Sequence, residues 1–260
     1  MASDGIVVFV LLFGLCIGSF LNVCIYRLGR EESIVKPASH CPRCLKPIRW
    51  FDNIPLLSYL VLRGRCRDCG AGISFRYFFV ELLTGGIFLV VFQRFGLTPL
   101  FFIFAAFVSG LIVATFVDFD HRIIPDEVSL GGIIVGLAAS AAYPPLQHTS
   151  VFAQAVARSL LGVLVGGGVL WLLGVIGDFI FKKESMGGGD MKLLAMIGAF
   201  LGWKLALLTL PVASVIGAVV GIIAKIRTRE SEIAFGPYLA IGALVALFWG
   251  GKIIEYIFYY

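Results

Sequence analysis

The stretch that decides the fold is PLFFIFAAFVSGLIVATFV, residues 99–117, which ends directly at Asp118. It has no charged side chain, and its length is close to that of a transmembrane helix, which needs about 20 residues. An ionised carboxylate at membrane depth is costly, so such residues are rare and usually functional. Asp118 is therefore a candidate functional residue at the end of a transmembrane helix.

Composition extends this interpretation to the whole chain. Hydrophobic residues make up 59% of the 260 residues, charged residues make up 14%, and the mean hydropathy is +0.97. A soluble protein could not bury this much apolar surface in one core. We predict an all-α polytopic membrane protein with about eight transmembrane helices. They are placed at residues 5–26, 76–95, 99–117, 127–143, 151–181, 190–203, 205–224 and 235–256, and the sixth is short. The glycines at 162–168 predict close helix packing.

The basic residues predict the orientation. Of the 21 Lys and Arg residues, ten lie between Arg27 and Arg76. Seven more lie in loops on the same side, at Arg122, Lys182, Lys183, Lys192, Lys225, Arg227 and Arg229. Cytoplasmic loops carry such an excess, so these loops are predicted to be cytoplasmic and both termini to face outward. Topology accounts for the net charge of +5, and no nucleic-acid partner is predicted. The first span lacks a basic leader and a cleavage site, so it is interpreted as a helix rather than a signal peptide.

Four of the six cysteines form two C-x2-C pairs, Cys41 with Cys44 and Cys66 with Cys69. Each pair can hold one metal with two thiolates, and two pairs complete a closed tetrahedral shell. Two disulfides are the alternative, but they need an oxidising compartment, and this loop is predicted to be cytoplasmic. We therefore predict a structural zinc ion that stabilises a small loop domain.

A second aspartate stands at another boundary between a polar loop and an apolar segment. Asp190 follows Gly187-Gly188-Gly189 and begins the predicted sixth span. Two adjacent carboxylates cannot both ionise easily, which leaves a base and an acid at the same pH. Asp118 and Asp190 thus form a candidate catalytic pair, supported by Gly187 and Gly189, which would allow close backbone approach. The alternative is that these aspartates are helix caps, and we favour that interpretation for Asp126.

At this point the residues match a known family. The chain resembles the type IV prepilin peptidases, which are bifunctional leader peptidases and N-methyltransferases. The resemblance is carried by the cysteine tetrad, both aspartate motifs, IGSFLNV (17–23), Arg27, DNIPLLSYL (52–60), LRGRC (62–66), ISFRY (73–77), VELLT (80–84) and FGPYL (235–239). One departure is Ser185, where a glycine is expected before Met186.

The resemblance implies function, partners and location. It implies that Asp118 and Asp190 cleave the basic leader from prepilins or pseudopilins at the cytoplasmic face of the bacterial inner membrane. It also implies methylation of the new N-terminal amine with S-adenosylmethionine, and members with the cysteine loop are the ones expected to methylate. A homodimer is a candidate assembly. The residues that bind S-adenosylmethionine and the role of Glu81, inside the second span, are not predicted.

Two other functions are open at the level of sequence. Presenilin-like intramembrane aspartyl proteases share the Gly-x-Gly-Asp element, but they pair it with Tyr-Asp, where this chain has Val117-Asp118, and they lack a zinc loop. A transporter or scaffold with proton-carrying carboxylates is the non-enzymatic alternative. For the prepilin peptidase we predict three parts: a first helix at 1–26, a zinc loop domain at 27–76 and a protease core at 77–260.

Overall fold

A computed structural model describes residues 4–182, 186–228 and 234–259. Ser185, Lys183 and Arg229, which entered the predictions above, lie outside these residues. The helices are α1 Asp4–Leu28, α2 Leu57–Val61, α3 Phe75–Phe95, α4 Pro99–His121, α5 Asp126–Ala142, α6 Phe152–Phe181, α7 Gly188–Leu201, α8 Trp203–Thr228 and α9 Gly236–Tyr259. Short 3-10 turns lie at Trp50–Asn53 and Pro144–Gln147.

The predicted all-α membrane protein is confirmed, with a difference in the number of helices long enough to span the membrane. Each of the eight predicted apolar segments is helical, and six of them, α1, α3, α4, α6, α8 and α9, are long and apolar enough to cross a membrane. The other two are shorter, with 17 residues in α5 and 14 in α7. At 1.5 Å per residue, α7 is about 21 Å long, which is shorter than the thickness of the hydrocarbon core of a bilayer, about 30 Å. The chain is a multi-pass membrane protein.

The chain divides into two compact units, Met1–Val113 and Ala114–Tyr260. In the first unit, α1 packs closely on α3 through glycines. A Cβ added at Gly18 would lie 2.7 Å from Glu81 Cα, so only glycine lets the two backbones approach this far. At the end of the contact, Asn22 Nδ2 donates to the carbonyl oxygen of Tyr77 at 3.0 Å.

In the second unit, the short helix α7 lies at the centre. Its residues 193–200 are all buried, and it packs against α5, α6, α8 and α9. The closest contact is with α6, where a Cβ added at Gly162 would lie 2.0 Å from the carbonyl oxygen of Gly198. The predicted close packing of the glycines at 162–168 is therefore confirmed at Gly162. It is also confirmed at Gly166, whose added Cβ would lie 2.5 Å from Leu194 O.

Polar side chains satisfy the last carbonyls of α7. Gln147 Nε2 donates to Ala199 O at 3.1 Å and to Phe200 O at 3.3 Å. The Ser159 hydroxyl also donates to Ala199 O, at 2.7 Å. The final carbonyls of a helix have no partner inside the helix, and leaving them unpaired in an apolar environment is costly. These bonds hold the end of α7 that is opposite Asp190.

We predict that Gly162→Val destabilises the protein and that Gly168→Val does not. A side chain at 162 would overlap the backbone of α7, and overpacking typically costs about 1–3 kcal/mol. Gly168 lies on the same helix with no atom within 4 Å of its added Cβ, so it controls for helix propensity. The measurement is the thermal midpoint of the detergent-solubilised protein. Equal midpoints for the two variants would contradict the packing argument.

Candidate active site and metal centre

Asp118 lies in the last turn of α4 and is buried, with 5% of its surface exposed. Its Oδ2 accepts a hydrogen bond of 2.9 Å from the backbone N–H of Gly236, the first residue of α9. A Cβ added at Gly236 would lie 2.8 Å from the same oxygen, so no other residue fits there without displacing the carboxylate. The beginning of α9 therefore orients Asp118.

Asp190 is the third residue of α7, in the helix's first turn. The two glycines that we predicted to support Asp190, Gly187 and Gly189, differ in how closely they are packed. A Cβ added at Gly189 would lie 3.1 Å from Ile124 Cβ, which is tighter than side chains normally pack. A Cβ added at Gly187 would lie 3.5 Å from Asp190 Oδ2, an ordinary contact. Gly189 thus allows the start of α7 to approach the α4–α5 connection, while steric contact does not require glycine at 187.

The structure brings the two aspartates together. Gly189, which precedes Asp190, and Gly236, which binds Asp118, both lie against Ile124, with added Cβ atoms 3.1 Å from Ile124 Cβ and 3.2 Å from Ile124 Cδ1. Asp190 is partly exposed and has no hydrogen bond to its carboxylate within the described ranges, whereas Asp118 is buried and held by Gly236. One carboxylate is therefore oriented by a backbone N–H, and its neighbour is not. The arrangement is suited to acid–base chemistry on a water molecule.

Asp126 does not cap α5, so our prediction for this residue was wrong. It is the first residue of the helix, after the N-cap position at Pro125, and its Oδ1 pairs with Lys192 Nζ at 2.6 Å. Lys192 is the fifth residue of α7, and its ammonium group binds the Asp126 carboxylate. Asp126 therefore forms an ion pair instead of a cap at the start of α5. The pair connects the starts of α5 and α7 beside Asp190. Asp120, two residues after Asp118, is exposed.

Three helices begin around the two carboxylates, α5 at Asp126, α7 at Gly188 and α9 at Gly236. The start of a helix carries a partial positive charge and N–H groups with no partner inside the helix. Such groups stabilise negative charge that develops during a reaction. The site therefore combines two carboxylates with backbone donors.

In the first unit, the four cysteines of the loop converge. Their Sγ atoms all lie within 4.8 Å of one another, and Cys41 Sγ lies 3.8 Å from Cys69 Sγ. A tetrahedral zinc ion with four Zn–S bonds of about 2.3 Å requires Sγ–Sγ separations of about 3.8 Å. The cluster fits that ion. All four cysteines are free thiols rather than disulfides.

The metal cluster is built from two similar turns that the sequence analysis did not identify as a repeat. In the first, Cys41 N donates to Lys46 O at 3.0 Å, and in the second Cys66 N donates to Ala71 O at 2.7 Å. The residue four positions after each first cysteine has a positive φ, 59° at Leu45 and 68° at Gly70. The segments SHCPRCLKPI (39–48) and GRCRDCGAGI (64–73) share this backbone, although only the cysteines and the final isoleucine are identical.

Backbone N–H groups favour the thiolate form of Cys41. Hydrogen bonds from Cys44 and Arg43 lower the pKa of Cys41 to about 6. A thiolate is the form that binds metal. Beside the cluster, the Arg67 guanidinium donates to Asp52 and lowers the pKa of that carboxyl, with a closest distance of 2.7 Å. This ion pair connects the 3-10 turn at Trp50–Asn53 to the second cysteine turn.

Glu81 connects the loop to α3. It is buried, and its Oε2 accepts a hydrogen bond of 2.8 Å from Leu56 N. Leu56 has φ 59° and ψ −48°, and Leu57 N donates to Pro55 O at 2.6 Å. This is the γ-turn form with positive φ, which is rare and strained. The buried Glu81 carboxylate thus holds a strained turn. The structure therefore gives Glu81, whose role the sequence did not predict, the role of a buried hydrogen-bond acceptor.

We predict one zinc ion per chain, and we expect Cys41→Ser combined with Cys44→Ser to release it. Two thiolates cannot complete the shell that four provide. Cys16→Ser is the matched control, because Cys16 lies in α1 away from the cluster. Metal analysis of purified protein measures the stoichiometry. Absence of zinc from the wild type, or unchanged zinc in the double variant, would contradict the assignment.

Comparisons with known proteins agree with this geometry. The model of the Bacterial Peptidase A24 N-terminal domain matches residues 12–95, and that of the Type IV leader peptidase family matches residues 105–222. Three similar proteins carry the name prepilin leader peptidase/N-methyltransferase. The one from Myxococcus xanthus is 43% identical over 224 residues, covering 86% of this chain and 64% of that protein.

The other two are covered almost completely. The protein from Pseudomonas aeruginosa is 38% identical over 270 residues, covering 94% of this chain and 90% of that protein. The one from Legionella pneumophila is 38% identical over 273 residues, covering 94% and 92%. No solved structure is significantly similar to this chain.

Proposed function

The chain belongs to the type IV leader peptidase family, and from this we propose that Asp118 and Asp190 remove the leader peptide from prepilins or pseudopilins. The observation that supports the proposal best is the meeting of two carboxylates at the ends of apolar helices, one of them fixed by Gly236 N. The same enzyme then methylates the new N-terminal amine with S-adenosylmethionine.

The proposed chemistry follows from the shared environment of the carboxylates. Mutual repulsion leaves one protonated and one ionised. The ionised group accepts a proton from water, which attacks the scissile carbonyl, and the protonated group donates to the carbonyl oxygen. The tetrahedral intermediate then collapses as the C–N bond breaks: the carboxyl group that took the proton from water gives it to the leaving amine, and the other carboxylate takes back the proton from the hydroxyl group that becomes the new carbonyl. The N–H groups at the starts of the three helices favour the negative charge that develops.

The substrate class fits the proposed orientation. A prepilin has a basic leader followed by an apolar helix, so its cleavage point lies at the membrane surface. The positive-inside count supports placing Asp118 and Asp190 at the cytoplasmic ends of their helices, in the bacterial inner membrane. The proposed zinc ion at Cys41, Cys44, Cys66 and Cys69 is structural, because four thiolates leave no open coordination position. Whether two chains form a homodimer stays a prediction.

We expect Asp118→Asn and Asp190→Asn each to abolish leader cleavage without preventing membrane insertion. Each substitution removes one member of the acid–base pair, and general acid–base catalysis contributes about 10² to 10⁴-fold. The assay mixes purified enzyme with a prepilin and reads the product mass for loss of the leader and gain of one methyl group.

Asp126→Asn is the matched control for these two variants. It removes a nearby carboxylate that pairs with Lys192, at 2.6 Å, outside the proposed catalytic pair. We expect it to retain most of the cleavage activity. Near wild-type turnover in either Asp118→Asn or Asp190→Asn would rule out the pair.

The proposed orientation predicts opposite labelling at the two ends of α6. Ser150 and Lys182 are exposed residues just beyond the helix Phe152–Phe181. In a background with serine at Cys16 and Cys24, a membrane-impermeant maleimide added to spheroplasts should label Ser150→Cys and leave Lys182→Cys unlabelled. The unsubstituted background gives the baseline. Labelling of both positions from outside would contradict the orientation.

A further inference from the structure

The first unit contains a cavity of about 620 Å³ beside the cysteine cluster. It is bounded by the ends of α1 and α3, by α2 and by the second cysteine turn. Small-molecule sites typically measure about 300–1,000 Å³, so a ligand of nucleoside size can enter. The proposed proteolysis does not use this cavity, because neither Asp118 nor Asp190 lines it.

Two buried side chains of opposite charge line the cavity. Arg27 is 6% exposed and Glu81 is 8% exposed. The described residues contain no ion pair between them. Arg27 instead donates to the neutral carbonyl oxygens of Ser33 and Pro37, and Glu81 accepts from Leu56 N and from the neutral Ser19 hydroxyl. A buried charge is costly unless it is paired, so the cavity favours a ligand that brings an anionic group to Arg27 and a cationic group to Glu81.

The remaining lining includes aromatic faces. Tyr26 and Tyr59 line the cavity together with Phe78. The Tyr59 and Phe78 rings lie 5.6 Å apart, and the Arg30 guanidinium lies 3.8 Å from the centre of the Tyr26 ring. Aromatic rings and stacked arginines are surfaces on which a nucleobase packs.

We propose that this cavity binds S-adenosylmethionine. The carboxylate of its methionine part pairs with Arg27, its sulfonium lies near Glu81, and its adenine packs among the aromatic rings. This assignment rests on the proposed methyltransferase function and adds the location of the methyl donor. It also gives Glu81 a second role, since one carboxylate both holds the turn at Leu56 and faces the bound cation.

Other basic residues around the cavity suggest a competing ligand. Arg43, Arg49 and Arg76 also line it, and basic pockets at the cytoplasmic ends of transmembrane helices bind anionic lipid headgroups. Such a headgroup would pair with Arg27 but would leave Glu81 facing a negative charge. The buried carboxylate therefore favours the zwitterionic nucleoside over the lipid.

Steric variants of α2 test the location. Ser58 lines the cavity, whereas Leu60, on the same short helix, is 61% exposed and does not line it. With wild-type protein in phosphatidylcholine nanodiscs, we expect calorimetry to detect binding of S-adenosylmethionine. Ser58→Trp should weaken this binding at least about tenfold, which corresponds to about 1.4 kcal/mol, and Leu60→Trp should leave it unchanged.

A charge variant tests the role of Glu81. Glu81→Gln keeps an oxygen that can accept from Leu56 N, so it preserves the turn while removing the negative charge. Because a charge-assisted contact is about twice as strong as a neutral one, affinity for S-adenosylmethionine should fall by about tenfold or more. Affinity for S-adenosylhomocysteine, which lacks the sulfonium charge, should fall less. Equal losses for the two ligands would overturn the assignment of Glu81.

Leader cleavage by the same samples separates this proposal from the proposed function. Intact cleavage and methylation by Ser58→Trp, with wild-type affinity, would overturn the cavity assignment and leave the methyltransferase function standing. A wild-type protein that cleaves but neither binds the donor nor methylates would overturn the methyltransferase function itself. Loss of donor binding when phosphatidylglycerol replaces phosphatidylcholine would identify a headgroup site and also overturn the proposal.

Discussion

The repulsion between two carboxylates, held near each other inside a membrane protein, is the constraint on which the second unit depends. Like charges separate unless the surrounding structure prevents it, and here the restraint is distributed. The first residue of α9 orients Asp118 through a single backbone N–H, 2.9 Å from Oδ2. Gly189 lets the start of α7 lie against Ile124. Both restraints act through backbone positions at helix starts.

A short helix is suited to this task. Because α7 has 14 residues and is surrounded by four other helices, its length and position are determined by protein contacts rather than by the lipid. The near-contact of Gly162 and Gly198 removes the freedom to slide along α6, and Gln147 holds the last carbonyls. Asp190 is thereby positioned from the opposite end of its helix.

The sequence predicted the residues that carry unusual chemistry for their surroundings. Asp118 and Asp190 lie at the ends of apolar segments, and the spacing of the C-x2-C pairs predicts a metal site. The residues that hold them were not predictable, because their contacts join positions far apart in the chain. Gly236 is 118 positions from Asp118, Lys192 is 66 from Asp126, and Glu81 is 25 from Leu56. The number of membrane-spanning helices was overestimated, with about eight predicted and six long and apolar enough among the described residues, since hydropathy does not distinguish burial in protein from contact with lipid.

The two cysteine turns have the same backbone conformation, but different residues occupy the position with left-handed φ. Gly70 adopts φ 68° freely, whereas Leu45 adopts φ 59° against a steric penalty of roughly 1–2 kcal/mol. The turn at Cys66 and Cys69 therefore forms more easily than the turn at Cys41 and Cys44, although it is synthesised later. For the proposed zinc ion, the second pair of thiolates would therefore stand on a backbone that is already relaxed in its binding conformation, and the first pair on a backbone that the metal must help to hold.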